Sequence, residues 1–285
     1  MKFDNALTRM LGVKYPIIQG AFGWRGTGMS DIAVPVSEAG GLGILTTICY
    51  DDPDQFQQDL RKATSMTDKP IAVNFTITKG PRFNADYHAE YVRITLEENV
   101  GTIFTSAYDA SGIGLKFKAA GRNWIHKCAT LKHALSIAGK GVDAVVIVGL
   151  EGTGHKNPDQ HTTLINITNL RRMIAIPIIA AGGIGDARGF LAALAMGASG
   201  VYMGTAFMAT QEFRIAQKVK EAIVHQRVTD MEYSKKIYQM QRSGLHSLAS
   251  GVIDTLPTVR EFIERIIEGA EEIAAEFKQW GMLQA

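Results

Sequence analysis

The chain has 285 residues, 46% of them hydrophobic, with 30 basic against 28 acidic side chains for a formal net charge of +2. That composition supports a sizeable core, and the absence of a basic arm or acidic tail argues against nucleic acid or a charged membrane surface as a partner. Cys49 and Cys128 are too few and too far apart for a disulfide framework or a C-x-x-C metal site, so no metal is expected. The opening Met1-Lys-Phe-Asp-Asn-Ala-Leu7 lacks the apolar run of a signal peptide. No apolar segment reaches the roughly 18 residues of a membrane helix. A soluble, cytoplasmic protein acting on a small molecule is expected.

Tyr15 to Gly20 is a short apolar run ending in glycine and reads as a first strand. Helical spacing over Met29 to Ala39 stops at Gly40-Gly41, and Leu42 to Thr46 is the next strand. Pro53 to Ala63 reads as a helix, Pro70 to Phe75 as a third strand, and roughly Asp86 to Glu98 as a helix. Thr102 to Thr105 is a fourth strand, followed by a glycine-interrupted segment from Asp109 to Ala120. Arg122 to Lys127, Asp143 to Val148, Ile176 to Ala180 and Gly200 to Met203 complete eight strands, with helices over Leu131 to Ala138 and Leu164 to Met173. Strands alternating with helices indicate parallel βαβ units. Eight such units over about 200 residues suit a closed (β/α)8 TIM barrel better than an open sheet. Continuous apolar strands fit a sheet covered on both faces.

After Met208 the pattern changes. Glu212 to Gln226 reads as a mixed helix, Thr229 to Ser250 is polar and broken by Gly244, and Pro257 to Trp280 is a long amphipathic helix. Its stripe of Phe262, Ile266, Ala270, Ile273 and Phe277 recurs at helical spacing and is expected to pack on the barrel. The division expected is a barrel core over 1–210 and a helical lid with a C-terminal helix over 211–285.

Two glycine turns dominate the last strands. Ile178-Ile-Ala-Ala-Gly-Gly-Ile-Gly-Asp186 runs from a strand into a turn and helix, and Met203-Gly-Thr205 repeats the arrangement one unit later. Backbone N–H groups exposed at such turns bind anions, and the loops after strands 7 and 8 of a barrel commonly hold a phosphate. A phosphorylated ligand is therefore expected at Gly182, Gly183, Gly204 and Thr205. The run Gly183-Ile-Gly-Asp-Ala-Arg-Gly189 is no dinucleotide fingerprint, since Arg188 stands where the third glycine belongs. The basic pair Arg171-Arg172 suits the last turn of its helix.

The remaining strand ends supply the candidate chemistry. The loop Gly149-Leu-Glu-Gly-Thr-Gly-His155 delivers a histidine to the barrel mouth, where it could transfer a proton near neutral pH; the alternative is a capping or solvent-facing loop residue. Lys127 ends an apolar strand and should present its ammonium to a phosphate or an electron-rich ring, unless it snorkels to the surface. Asn74 could hydrogen-bond a heterocycle edge or simply form a turn. Cys128 reads as opening a helix in a structural role, and Glu151 as a carboxylate capping nearby N–H groups rather than a second acid or base.

Five motifs occur in series: Pro16-Ile-Ile-Gln-Gly-Ala-Phe22, Val73-Asn-Phe75, Glu151-Gly-Thr-Gly-His155, Ala180-Ala-Gly-Gly-Ile-Gly-Asp186 and Met203-Gly-Thr-Ala-Phe-Met-Ala-Thr-Gln-Glu212. Together, over about residues 10 to 270, they resemble the FMN-dependent nitronate monooxygenase family, which includes flavin-type enoyl-[acyl-carrier-protein] reductases and some NAD(P)H:quinone reductases. The resemblance implies an FMN phosphate on Gly182, Gly183, Gly204 and Thr205. It also implies the isoalloxazine against the backbone of Gly20, Ala21 and Phe22, with Asn74 and Lys127 contacting the flavin or its ribityl chain. His155 matches the family's histidine beside the flavin, a base or hydrogen-bonding group for substrate. Three departures stand out. Gln19-Gly-Ala-Phe22 replaces Gln-Ala-Pro-Met, Lys156-Asn157 follow His155, and Val148 stands where many relatives carry glutamine. The segment between Gln226 and Val252 is also shorter than the substrate lid of many members.

Three readings of the activity stay open. The first is oxidation of alkyl nitronates with O2, and the second is NADH- or NADPH-dependent reduction of an enoyl thioester or quinone. The third is a non-redox phosphate-binding isomerase or lyase, in which His155 and Glu151 would move protons. A homodimer would accord with the family and with nothing else in the chain.

Overall fold

The computed structural model describes residues 2–23, 25–80, 83–154, 157–238 and 246–282. Helix α1 (Ala6–Leu11) precedes eight strands: β1 (Ile17–Gln19), β2 (Gly43–Thr46), β3 (Ile71–Ile77), β4 (Thr102–Ala107), β5 (Asn123–Cys128), β6 (Ala144–Val148), β7 (Ile178–Ala181) and β8 (Gly200–Met203). Between them lie α2 (Ser30–Glu38), α3 (Pro53–Met66), α4 (Ala89–Glu97), α5 (Ser111–Ala119), α6 (Leu131–Ala138), α7 (Thr163–Met173) and α8 (Ala187–Ala195). A short α9 (Thr205–Met208) leaves β8, followed by α10 (Gln217–His225), α11 (Met231–Tyr238) and α12 (Val259–Gln279).

All strand pairs are parallel, in the order β1-β8-β7-β6-β5-β4-β3-β2. The last seam, between β1 and β2, is a single bridge at Ile18 and Leu42. There the Gln19 N–H donates to the Leu42 carbonyl (3.0 Å) and the Leu42 N–H to the Ile17 carbonyl (2.9 Å). The buried Gln19 side chain extends the seam: its Nε2 donates to the Ile44 carbonyl (3.1 Å) and its Oε1 accepts from the Ile44 N–H (3.2 Å). A side-chain amide thus replaces the backbone partners that a three-residue strand cannot supply. The result is the (β/α)8 barrel expected, with a C-terminal helical extension.

Strand alternation separates two cores. Ile18, Ile44, Ala72, Phe104, Ile125, Val146, Ile179 and Tyr202 fill the barrel interior. Their neighbours, among them Val73, Ile103, Trp124, Ile147 and Val201, pack outward under the helices. Helix α1, which periodicity did not signal, plugs the bottom: Leu7 and Leu11 join the interior core, and an Asn5–Thr8 capping box starts the helix. Six residues are too few for a hydrophobic period to be visible, but the cap and the burial suffice.

Helix α12 opens with a Thr258–Glu261 capping box and packs against α8 and α2. Its stripe is buried at Phe262, Ile266, Ala270 and Ile273, so it covers the barrel as expected. The helix expected over Glu212 to Gln226 forms only from Gln217, because the preceding residues are engaged elsewhere. Phe213 meets Phe22 edge-on with centroids 4.9 Å apart, and the Lys220 ammonium binds the carbonyls of Thr210 and Gln211. Cys128 ends β5 rather than opening a helix; α6 starts at Leu131, capped by the Thr130 side chain. Among the described residues no helix is long and apolar enough to cross a membrane.

The seam gives a direct test of barrel closure. Gln19→Ala strands the buried Ile44 N–H and carbonyl, at about 1–3 kcal/mol for each unsatisfied group. Urea unfolding should show a loss of at least about 2 kcal/mol, whereas a change below about 0.5 kcal/mol would mean that the amide does not hold the seam.

Candidate active site

The strand C-termini surround a cleft of about 460 Å³, within the range of small-ligand sites. Gly20, Ala21, Phe22, Thr76, Ser106, Lys127, Val148, Gly182, Gly183, Tyr202, Gly204 and Thr205 line it, joined by Gly152, Thr153 and Gly154 of the loop after β6. The backbone builds one side. Gly182 and Gly183 hold φ angles of +98° and +75°, in the region where L side chains are strained. A Cβ on Gly183 would also press on the Glu151 side chain at 3.1 Å. Gly20 and Gly204 meet so closely that a Cβ on Gly20 would lie 2.9 Å from the Gly204 backbone. Gly182, Gly183, Gly204 and Thr205 donate none of the loop and cap backbone hydrogen bonds among the described residues. Gly182, Gly183 and Gly204 bring no side chain to this wall, and the Thr205 hydroxyl accepts the Ser247 N–H (3.0 Å). Backbone N–H groups in such a turn suit a phosphate.

The opposite side is a polar tier set by register. Thr76 pairs with Ser106, and Ser106 with Lys127, across β3, β4 and β5. The Ser106 hydroxyl donates to Thr76 Oγ1 (3.2 Å), and Asn74 Nδ2 donates to the same oxygen (3.1 Å). Asn74 itself is fully buried one tier below and does not line the cleft; the alternation that points it inward also puts Thr76 above it. Asn74 therefore reaches the cleft only through Thr76.

The half-buried Lys127 ammonium sits 5.7 Å from the Tyr202 ring centroid, a cation–π distance. No carboxylate pairs with it among the described residues. Burial without a counter-charge pushes its pKa down to about 8. The Tyr202 hydroxyl accepts the Ala21 N–H at 2.5 Å, which ties β8 to the loop after β1 and leaves the phenolic proton for a ligand. Burial raises the pKa of this phenol, so the hydroxyl keeps its proton while its oxygen accepts the Ala21 N–H. Thr76 lies one residue beyond the strand expected to end at Phe75, and Tyr202 one residue before the end of β8, so inward parity and not strand-end position marks these two residues.

Glu151 accepts the Thr163 N–H (2.9 Å) and hydroxyl (2.9 Å), so it caps α7 as expected. The strand-end carbonyls beside it are held by the Gln160 amide, 2.9 Å from the Val148 oxygen and 3.0 Å from that of Gly149. His155, the expected catalytic residue, lies outside the described residues, as does Lys156. Gly152 to Gly154, which lead to it, border the cleft. A side cavity of about 370 Å³ shares Lys127 and Val148 with the cleft and runs outward past Tyr108, Asp109 and His133. Ala107 turns into it with φ +78°, a strained backbone of the kind that gathers at functional sites.

A parallel (β/α)8 barrel with glycine turns after β7 and β8 and a lysine across the mouth, unpaired among the described residues, defines a TIM barrel with a ligand cleft at its strand C-termini. Comparison with known proteins narrows it. The model of the nitronate monooxygenase family matches residues 4–256. A Rhodococcus jostii protein, (3aS,4S,5R,7aS)-5-hydroxy-7a-methyl-1-oxo-octahydro-1H-indene-4-carboxyl-CoA dehydrogenase, is 34% identical over 85% of this chain and 66% of its own. The chain thus spans just under two thirds of that relative's length. A Staphylococcus haemolyticus protein named "Probable nitronate monooxygenase" is 31% identical, over 81% of this chain and 74% of its own. Among solved structures, FabK from Thermotoga maritima superposes with a TM-score of 0.85 at 27% identity, covering 97% of this chain and 99% of that one. The chain belongs to the nitronate monooxygenase family.

The Lys127 environment predicts a pH effect. The folded chain holds this amine at a pKa of about 8, below an unfolded value near 10.4. The folded form therefore binds fewer protons between the two values, and stability rises with pH across that window. Lys127→Met should raise the melting temperature at pH 7, with the gain shrinking as pH climbs from about 8 to about 10. A gain that does not depend on pH would contradict the assigned shift.

Proposed function

We propose that the chain is an FMN-dependent oxidoreductase that oxidises alkyl nitronates with O2. The carrying observation is the pairing of the backbone N–H groups of Gly182, Gly183, Gly204 and Thr205, which donate none of the loop and cap hydrogen bonds among the described residues, with Lys127, which has no carboxylate partner among the described residues, across the same cleft. Those four N–H groups would form a cradle for the FMN phosphate, and the Gly20, Ala21 and Phe22 backbone with Lys127 would meet the ring and ribityl chain. Bound flavin would supply the electron-accepting ring, since side chains carry no such chemistry.

The chain's own part is to position the substrate and manage its charge. A nitronate is an anion, and Lys127 is mostly protonated below pH 8, so it can pair with the nitronate oxygens in a half-buried site where such a pairing is strong. The Tyr202 phenol and Thr76 hydroxyl add donors on neighbouring strands. Ile48, Phe22, Val148 and Met208 give the cleft apolar walls that limit water. His155 is proposed as the base or hydrogen-bonding group for substrate.

A second reading is favoured by the 34% identical Rhodococcus relative, whose name makes it a carboxyl-CoA dehydrogenase. In that case the substrate is an acyl-CoA thioester, or an enoyl thioester reduced with NADH or NADPH, entering by the side cavity.

Anaerobic mixing of the yellow protein separates these readings. Bleaching by a nitronate alone, with recovery of colour in O2, is expected. Bleaching only by NADH, NADPH or an acyl-CoA would overturn the nitronate assignment in favour of the second reading. Gly183→Asp should leave a colourless protein, since it places a side chain and a negative charge in the cradle; a yellow variant would remove the cradle from flavin binding. His155→Ala should retain flavin and lose ~10²–10⁴-fold in turnover, the usual contribution of a general base. Unchanged turnover would take His155 out of the reaction.

A further inference from the structure

Strand β5 presents Lys127 to the barrel cleft, and by alternation its neighbours His126 and Cys128 face outward against α6. Helix α6 is capped by Thr130, whose hydroxyl accepts the His133 N–H at 3.2 Å, and this cap fixes His133 in the first turn, over the strand. One ligand atom each from His126, Cys128 and His133 lies within 4.8 Å of the other two. The two imidazoles sit with centroids 4.9 Å apart at 66°. His126 and Cys128 are buried, and the half-buried His133 lines the side cavity. The spacing His-x-Cys-x4-His escapes a search for C-x-x-C, because the third ligand comes from the following helix.

An independent observation points at a ligand. His126 is fully buried, yet its Nε2 has no hydrogen-bond partner among the described residues. Its Nδ1 is 2.7 Å from Thr105 Oγ1. That hydroxyl oxygen also accepts the Trp124 indole N–H (2.7 Å) and lies 3.5 Å from the Ile125 carbonyl. If Thr105 donates to Nδ1, the proton of the neutral ring sits on Nε2 as a buried donor without a partner, which is costly. If instead Nδ1–H donates to Thr105, the hydroxyl accepts twice and donates once to Ile125. Every group of that network is then satisfied, and Nε2 presents a bare lone pair. A ring whose far nitrogen donates to an outer partner is the arrangement that orients metal-binding histidines.

We infer that His126 Nε2, Cys128 Sγ and a His133 ring nitrogen form a three-ligand site for a zinc-type divalent transition metal on the outer face of β5. Two imidazoles and a thiolate are the donor set that borderline-soft ions choose over magnesium or calcium. Metal–ligand bonds of about 2.0–2.3 Å need the ligand atoms about 1 Å closer than 4.8 Å, a movement within reach of the half-buried His133 side chain. The Cys128 S–H bond breaks as the sulfur–metal bond forms, and its proton passes to solvent; the imidazoles bind as neutral rings. The fourth position opens on the side cavity that adjoins Lys127, leaving room for water or a substrate oxygen. The site does not depend on the flavin assignment.

The test uses the untagged full chain, stripped with a chelator, and Co2+ as the probe. One equivalent of Co2+ should produce a thiolate-to-metal charge-transfer band in the near-ultraviolet difference spectrum, and one equivalent of Zn2+ should abolish it. Cys128→Ala should lose the band and Cys49→Ala should keep it. His133→Asn, at a half-buried position that tolerates exchange, should lose stoichiometric retention of Co2+ through gel filtration, with folding checked by circular dichroism. Absence of the band in the unaltered chain would overturn the site. So would a band that survives Cys128→Ala, or retention undiminished in His133→Asn.

Discussion

The backbone contact between the ends of β1 and β8 is the constraint on which the rest depends. Gly20 and Gly204 approach to a distance that excludes any side chain on Gly20, and the Gly20 N–H donates to the Met203 carbonyl at 2.6 Å. This contact pulls the three-residue β1 onto β8, and the Gln19 amide then joins β1 to β2 and closes the ring. The same absence of side chains that permits the approach leaves N–H groups bare beside it. Closure of the barrel and exposure of these backbone groups both follow from the absence of side chains at this contact.

Across the mouth the logic is electrostatic. The lower interior of the barrel is apolar from Ile18 to Val146, and polar side chains enter above it, with Asn74 one tier below Thr76, Ser106 and Lys127. An amine placed there without a carboxylate is destabilised as a cation, which is the cause of its lowered pKa. An anionic ligand would relieve that penalty. The buried amine therefore carries a stability cost, the usual relation between a functional site and its fold.

Much of the fold was legible because both faces of each strand are covered, which makes the strands continuous apolar runs between glycine turns. The two glycine turns were legible because they stand as glycines at two consecutive strand ends, and the first of them takes positive φ at Gly182 and Gly183. Three features were not. Helix α1 is too short to show a period. The Thr76–Ser106–Lys127 tier depends on register between strands, which no single strand displays, and that same register sets Asn74 below the cleft instead of on its wall. The grouping of His126, Cys128 and His133 needs both the outward parity of β5 and the position of the α6 cap; sequence reading placed Cys128 in a helix and so lost it.

The central claim is that the cradle after β7 and β8 binds the phosphate of a flavin mononucleotide. The most direct measurement is a fluorescence titration of flavin-free protein with FMN and with riboflavin, which share the ring and ribityl chain and differ only in the phosphate. The account predicts that FMN binds at least about 100-fold more tightly, because charge-assisted hydrogen bonds from several N–H groups are strong, and that Gly183→Asp abolishes the difference. Equal affinity for the two flavins would contradict it.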